Sequence, residues 1–220
     1  MRHLQVKSVY KSFGKKSLLE DISFDLKTGE ILGVFGRNGS GKSSLLKMIF
    51  GILPANHIQI KIDSEIIPVS EIIPNQLIAY LPQDSFLPKG MTVRNVIPLF
   101  CDEEDKQNKV FYAPGVSKFD SIKVGKLSTG QLKYLEILLI SSLDHPFLML
   151  DEPFTMLEPL YINLIKELFL KLKEHKGILL TDHYYSHVLE ITDGNFLLKD
   201  GIKQDIFSKT DLIKNGYIRS

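Results

Sequence analysis

The chain has 220 residues, a net charge of +1 and a single cysteine, with 44% hydrophobic and 24% charged residues. That balance excludes recruitment of nucleic acid or acidic lipid by a global basic field, and Cys101 alone excludes an internal disulfide. The length suits one large domain, or a core with a small subdomain. An uninterrupted apolar run of about 18 residues would be needed to cross a membrane, and none occurs. The best stretch, 135–150, is broken by Glu136, Asp144, His145 and Pro146. The first seven residues lack the apolar region of a signal peptide.

In chain order, residues 6–10, 22–26 and 31–35 read as short strands, with a turn at Thr28-Gly29-Glu30. Residues 42–50 read as a helix capped by Gly51. Residues 58–62 alternate apolar and polar, as in a half-buried strand, and 77–81 form another strand ending at Pro82-Gln83. Residues 84–126 differ in character: an amphipathic piece at 92–100, then a polar acidic and basic stretch, then Pro114-Gly115. They read as an inserted, mostly helical subdomain whose polar middle is expected to be poorly ordered. Cys101, beside the acidic run 102–105, reads as an inert thiol. Beyond it, 130–143 reads as a helix and 147–150 as an apolar strand of the kind buried in a parallel sheet. Leu160, Leu164, Ile165, Leu168, Phe169 and Leu172 fall at helical spacing after Pro159, and Gly177 is expected to stop that helix. Residues 178–180 form a strand, and Asp200-Gly201 marks a hairpin.

Two motifs carry chemistry. Gly36-Arg37-Asn38-Gly39-Ser40-Gly41-Lys42-Ser43 is G-x-x-x-x-G-K-S between a strand and a helix that opens with Ser44. Its glycines let backbone N–H groups converge on a polyphosphate, and the helix N-terminus adds positive potential. Lys42 would reach the β- and γ-phosphates, and the Ser43 hydroxyl would bind Mg²⁺. The second motif is an apolar strand ending in Asp151-Glu152. Asp151 at the strand tip can hold Mg²⁺ through water, and Glu152 can take a proton from an attacking water.

Leu127-Ser128-Thr129-Gly130-Gln131 precedes the helix leading to that strand. With it, the chain resembles the ATP-binding cassette (ABC) ATPases over nearly its whole length. Phe13 lies where that family stacks an aromatic on adenine, Gln83 resembles the Q-loop glutamine, and 91–96 resembles the opening of the helical subdomain. Residues 155–158 stand at the D-loop, and Thr181-Asp182-His183 ends a strand where the family keeps a switch histidine. The resemblance implies an α/β P-loop NTPase fold of ABC ATPase type: a parallel-sheet core with an antiparallel β subdomain and an inserted helical subdomain. It implies one domain over 1–220, with 1–83 and 143–220 as nucleotide-binding core and 84–142 as helical subdomain.

It also implies roles. ATP is held by Phe13 and by the loop from Gly36 to Ser44. Ser43, Gln83 and Asp151 serve Mg²⁺; Glu152, His183, Lys42 and Gln83 serve hydrolysis. Ser128, Gly130 and Gln131 face ATP held by a second ABC subunit, identical or different, so that ATP lies at the interface. A separate transmembrane subunit supplies the transport path, which places this chain in the cytoplasm, peripheral on the membrane's cytoplasmic face. No nucleic-acid partner is expected. The alternative is a soluble ABC ATPase switching a cytosolic assembly scaffold; a weaker one is a cassette that binds ATP and rarely cleaves it. Three departures stand out. Thr129 replaces the first signature glycine, which requires ordinary backbone angles there. Leu132-Lys133-Tyr134 replaces the polar, usually Arg-containing residues that commonly follow the signature. Glu158 replaces the D-loop aspartate. All three are expected to alter rate or coupling rather than ATP binding.

Overall fold

The structure, a computed structural model, describes residues 1–219. The first half carries β1 (His3–Phe13), β2 (Lys16–Lys27), β3 (Ile31–Gly36), α1 (Lys42–Phe50), β4 (His57–Ile62), β5 (Glu65–Ile67) and β6 (Ile78–Leu81). Three helices follow: α2 (Val93–Phe100), α3 (Glu104–Phe111) and α4 (Thr129–Ser142). Then come β7 (Phe147–Asp151), α5 (Pro159–Lys173), β8 (Gly177–Thr181), α6 (Tyr185–Leu189), β9 (Gly194–Lys199), β10 (Ile202–Ile206) and α7 (Lys209–Lys214).

The strands form two sheets. β2-β1-β4-β5 is antiparallel throughout. The other, β10-β9-β3-β8-β7-β6, is parallel except for the β9–β10 hairpin at its edge. The central strands β7 and β8 are buried along their whole length, which is why they read as continuous apolar runs. Their side chains alternate between two cores. Leu148 and Leu150 join the core under α4 and α5; Phe147 and Met149 join the one under α1 and the antiparallel sheet. Gly33 in β3 is required by proximity. A Cβ there would lie 2.2 Å from Asn195 Oδ1 and 2.7 Å from Val188 Cγ1.

Three expectations change. The polar middle of the inserted region is ordered as α3. Glu104 and Asp105 occupy its first turn and Lys109 its last, the arrangement favoured by the helix dipole. Val110 is buried, and Lys106 reaches Glu103 at 2.9 Å and Asp144 at 2.5 Å. Gly177 does not stop α5, which ends at Lys173. It opens β8 instead, where a Cβ would lie 2.8 Å from both the Lys27 carbonyl and Phe147 Cδ1. Finally, β1 extends well past its apolar centre at both ends, because each flank pairs with β2. Cys101 is buried, with Sγ 3.1 Å from Ser142 Oγ.

The parallel pairing positions the site. β3, β8, β7 and β6 run side by side in the same direction, so their C-terminal ends share one edge. That edge of an open parallel sheet is where ligands bind.

Candidate active site

The loop between β3 and α1 carries Gly39 at φ 80° and Gly41 at φ 101°, both in the left-handed region. No side chain caps α1 and no acidic residue lies in its first turn, so its amide donors remain free for an anion. Lys42 folds back over the loop, its Nζ donating to the Gly36 carbonyl at 2.7 Å. Burial lowers the pKa of this ammonium, against the pull of Glu152, Asp151 and Asp182. Arg37 donates to the Gly216 carbonyl at 2.7 Å and ties the loop to the C-terminal segment.

Asp151 ends β7, fully buried. Its Oδ1 accepts from Ser43 Oγ at 3.0 Å and Thr181 Oγ1 at 2.9 Å; its Oδ2 accepts from Tyr80 OH at 3.2 Å. Burial, then the facing carboxylate, pushes the Tyr80 phenol well above its ordinary pKa, so it stays a donor. The adjacent hydroxyl and carboxylate oxygens of Ser43 and Asp151 are the hard donors that Mg²⁺ takes.

Glu152 has φ 54°, in the left-handed region. A non-glycine residue there is strained, and its peptide N–H is held to the Thr181 carbonyl at 2.9 Å. The turn sends its carboxylate away from Asp151. Oε2 accepts from Gln83 Nε2 at 3.0 Å and Thr155 Oγ1 at 3.3 Å, and Oε1 lies 3.0 Å from His183 Nε2. His183 is positioned by its neighbour Asp182, which is buried and accepts from the Phe154 and Tyr184 amides at 2.7 and 2.9 Å. Desolvation pushes the Asp182 carboxyl up to about 6.

Phe13, the loop 37–44, Gln83, Glu152 and His183 line one open cleft of about 500 Å³. Phe13 is 54% exposed, with the Lys11 ammonium 4.7 Å from its ring centroid. Ser128, Gly130 and Gln131 do not line this cleft. They sit at the N-terminus of α4 in a reciprocal cap: Ser128 Oγ accepts from the Gln131 amide at 3.2 Å, and Gln131 Oε1 from the Ser128 amide at 3.0 Å. Thr129 is the first helical residue and needs no positive φ. Gly130 packs against α5, where a Cβ would lie 3.1 Å from Tyr161 Cδ2.

Tyr80, Lys133 and Glu136 were not anticipated from the motifs. For Tyr80 a signal existed: a phenol inside a buried strand must find a hydrogen-bond partner.

Residues 19–155 match the ABC transporter family. The lipopolysaccharide export system ATP-binding protein LptB of Acidithiobacillus ferridurans is 26% identical over 228 residues, covering 98% of this chain and 94% of the relative. A tyrosine transport ATP-binding protein of Clostridioides difficile strain R20291 is 31% identical over 223 residues, covering 90% of this chain and 89% of the relative. A solved ATP-binding subunit of an ABC transporter shares the fold, with a TM-score of 0.83 at 24% identity over 98% of this chain and 94% of that one. The matched region runs from β2, ahead of the glycine loop, past Glu152, and so takes in the loop, Gln83, Ser128–Gln131 and Asp151-Glu152. The chain belongs to the ABC transporter family, as an ATP-binding subunit.

Proposed function

We propose that this chain hydrolyses Mg²⁺-ATP in the cleft at the ends of β3, β6, β7 and β8, and that the cycle drives a separate membrane-spanning subunit. The observation that carries the reading is the triangle on Glu152, whose carboxylate meets Gln83, Thr155 and His183 beside the phosphate loop. Hydrolysis requires the phosphates held, the developing charge neutralised and the water oriented. The loop amides and Lys42 serve the first, with Phe13 as the stacking surface for adenine. Ser43 and Asp151, and Gln83 from the far wall, would hold Mg²⁺, which when bound neutralises charge on the phosphate oxygens. Glu152 takes the proton of the attacking water. Three neighbours leave its four lone-pair sites room for that water. His183 holds Glu152 on one side and faces the γ-phosphate on the other.

Ser128, Gly130 and Gln131 lie outside the cleft of their own chain, which supports their use on ATP bound by a second cassette. We read 84–142 as the helical subdomain and the remainder as the nucleotide-binding core. No helix among the described residues is long and apolar enough to cross a membrane. Membership of the ABC transporter family supports a partner chain as the transport path and a place for this one on the cytoplasmic face. The two relatives differ in cargo and share the ATP-binding role.

Steady-state ATPase assays test this. Glu152→Gln is expected to lower turnover by about 10²–10⁴-fold with ATP affinity kept. EDTA should reduce wild-type turnover to background, and Mg²⁺ should restore it. Turnover near wild type in Glu152→Gln would remove Glu152 as the base.

A further inference from the structure

Lys133 and Glu136 are charged residues on the inward face of α4, 8% and 1% exposed. Charged side chains are rarely so buried unless paired or hydrogen-bonded. They stand at i and i+3 on one helix face, Nζ 4.0 Å from Oε2. Burial lowers the Lys133 pKa, with Glu136 opposing.

Their other partners are all backbone groups of one segment. Lys133 Nζ donates to the Gln83 carbonyl at 3.0 Å and the Pro82 carbonyl at 3.3 Å. Glu136 Oε1 accepts from the Phe86 amide at 3.3 Å. Residues 82–86 lie where β6 stops pairing with β7 at Leu81, so these carbonyls and this amide have no ladder partner. An apolar pair at 133 and 136 would leave three backbone polar groups without a protein partner. The segment is therefore held at both ends by α4. Gln83 is itself anchored at one of those ends, through its carbonyl, and its carboxamide donates to Glu152.

We infer that Lys133, with Glu136, is a positioning residue: it clamps residues 82–86 to α4 and so sets Gln83 against the Glu152 carboxylate. The consequence is mechanical. The helix that opens with the Ser128 cap is connected, through Lys133 and then Gln83, to the group that takes the proton. A displacement of α4 relative to the sheet moves Gln83 off Glu152 without touching the phosphate loop. The kinetic part of this inference rests on Glu152 acting as the base; the clamp itself does not.

The test uses Lys133→Met, the paired variant Lys133→Met with Glu136→Met that leaves neither a lone buried carboxylate nor an acceptor for the Phe86 amide, and Lys133→Arg. Circular dichroism establishes that each is folded. With Gln83 released, kcat is expected to fall about tenfold while KM for ATP stays within about twofold, because a small misplacement at the reacting centre is costly to rate alone. Lys133→Arg, which keeps donors for both carbonyls, retains more than half of wild-type kcat. In a Gln83→Ala background, adding Lys133→Met changes kcat less than about twofold, since both variants remove the same link. The Phe86 amide exchanges hydrogen at least about tenfold faster in the paired variant, while those of 36–44 are unchanged. Multiplicative effects of Lys133→Met and Gln83→Ala, a parallel loss of ATP affinity, or unaltered exchange of the Phe86 amide would each overturn the clamp. Absence of hydrolysis by the wild-type chain would contradict the proposed activity instead, and the exchange measurement would still decide the clamp.

Discussion

Asp182 shows how one residue can be tuned for a neighbour. It has no solvent exposure, and its two acceptor bonds to the Phe154 and Tyr184 amides fix the turn that presents His183. Its folded carboxyl titrates at about 6, against an ordinary 3.8, chiefly because burial penalises the charge. The folded chain then binds this proton more tightly than the unfolded one. Its contribution to stability is fully present below about pH 4, falls as the pH rises to about 6, and is constant above. Asp182→Asn removes that slope. The difference in unfolding free energy between wild type and variant is predicted to change by about 2 kcal/mol from pH 4 to pH 7, the variant gaining relative to wild type. Urea melts at a series of pH values measure it; a difference independent of pH would contradict the assignment.

At the scale of the element, α4 carries two jobs at one end. The Ser128–Gln131 cap satisfies N-terminal donors, and the same serine is offered outward, away from the chain's own cleft. Ser128→Ala is predicted to cost about 1 kcal/mol in stability as a lost cap. It should also lower ATPase activity by about tenfold or more, as loss of a donor to a developing anion does. Denaturant unfolding and turnover at saturating ATP separate the two; a stability loss with full turnover would reduce Ser128 to a cap.

What was legible divides along the same line. The phosphate loop, Asp151-Glu152 and Ser128–Gln131 are contiguous stretches whose glycines, acids and cap residues announce local geometry. Lys133 and Glu136 are not legible in this way. In sequence they are two polar residues in a helix otherwise apolar from Leu132 to Ile140, and their partners lie about fifty positions upstream. α3 failed for a related reason: its helix rests on end charges and one buried valine, with too few apolar residues to show a period. Gly177 was misread because a glycine that ends a helix and one that must fit beneath a carbonyl look alike until the Lys27 neighbour is placed.

At the scale of the molecule, function follows from strand order. Four parallel strands deliver the glycine loop, Gln83, Asp151-Glu152 and Thr181-His183 to one edge, though these lie as much as 147 positions apart in the chain, from Gly36 to His183. Ser128 and its neighbours remain outside that edge, which supports the proposal that a second cassette completes the site. A membrane subunit is the remaining proposed part. The most direct measurement is purification of tagged Glu152→Gln protein from detergent-solubilised membranes, followed by ATPase assays of the wild-type complex. The account predicts recovery of a polytopic membrane protein whose presence alters wild-type turnover. Recovery from the soluble fraction alone, bound to a cytosolic scaffold or to nothing, would contradict it.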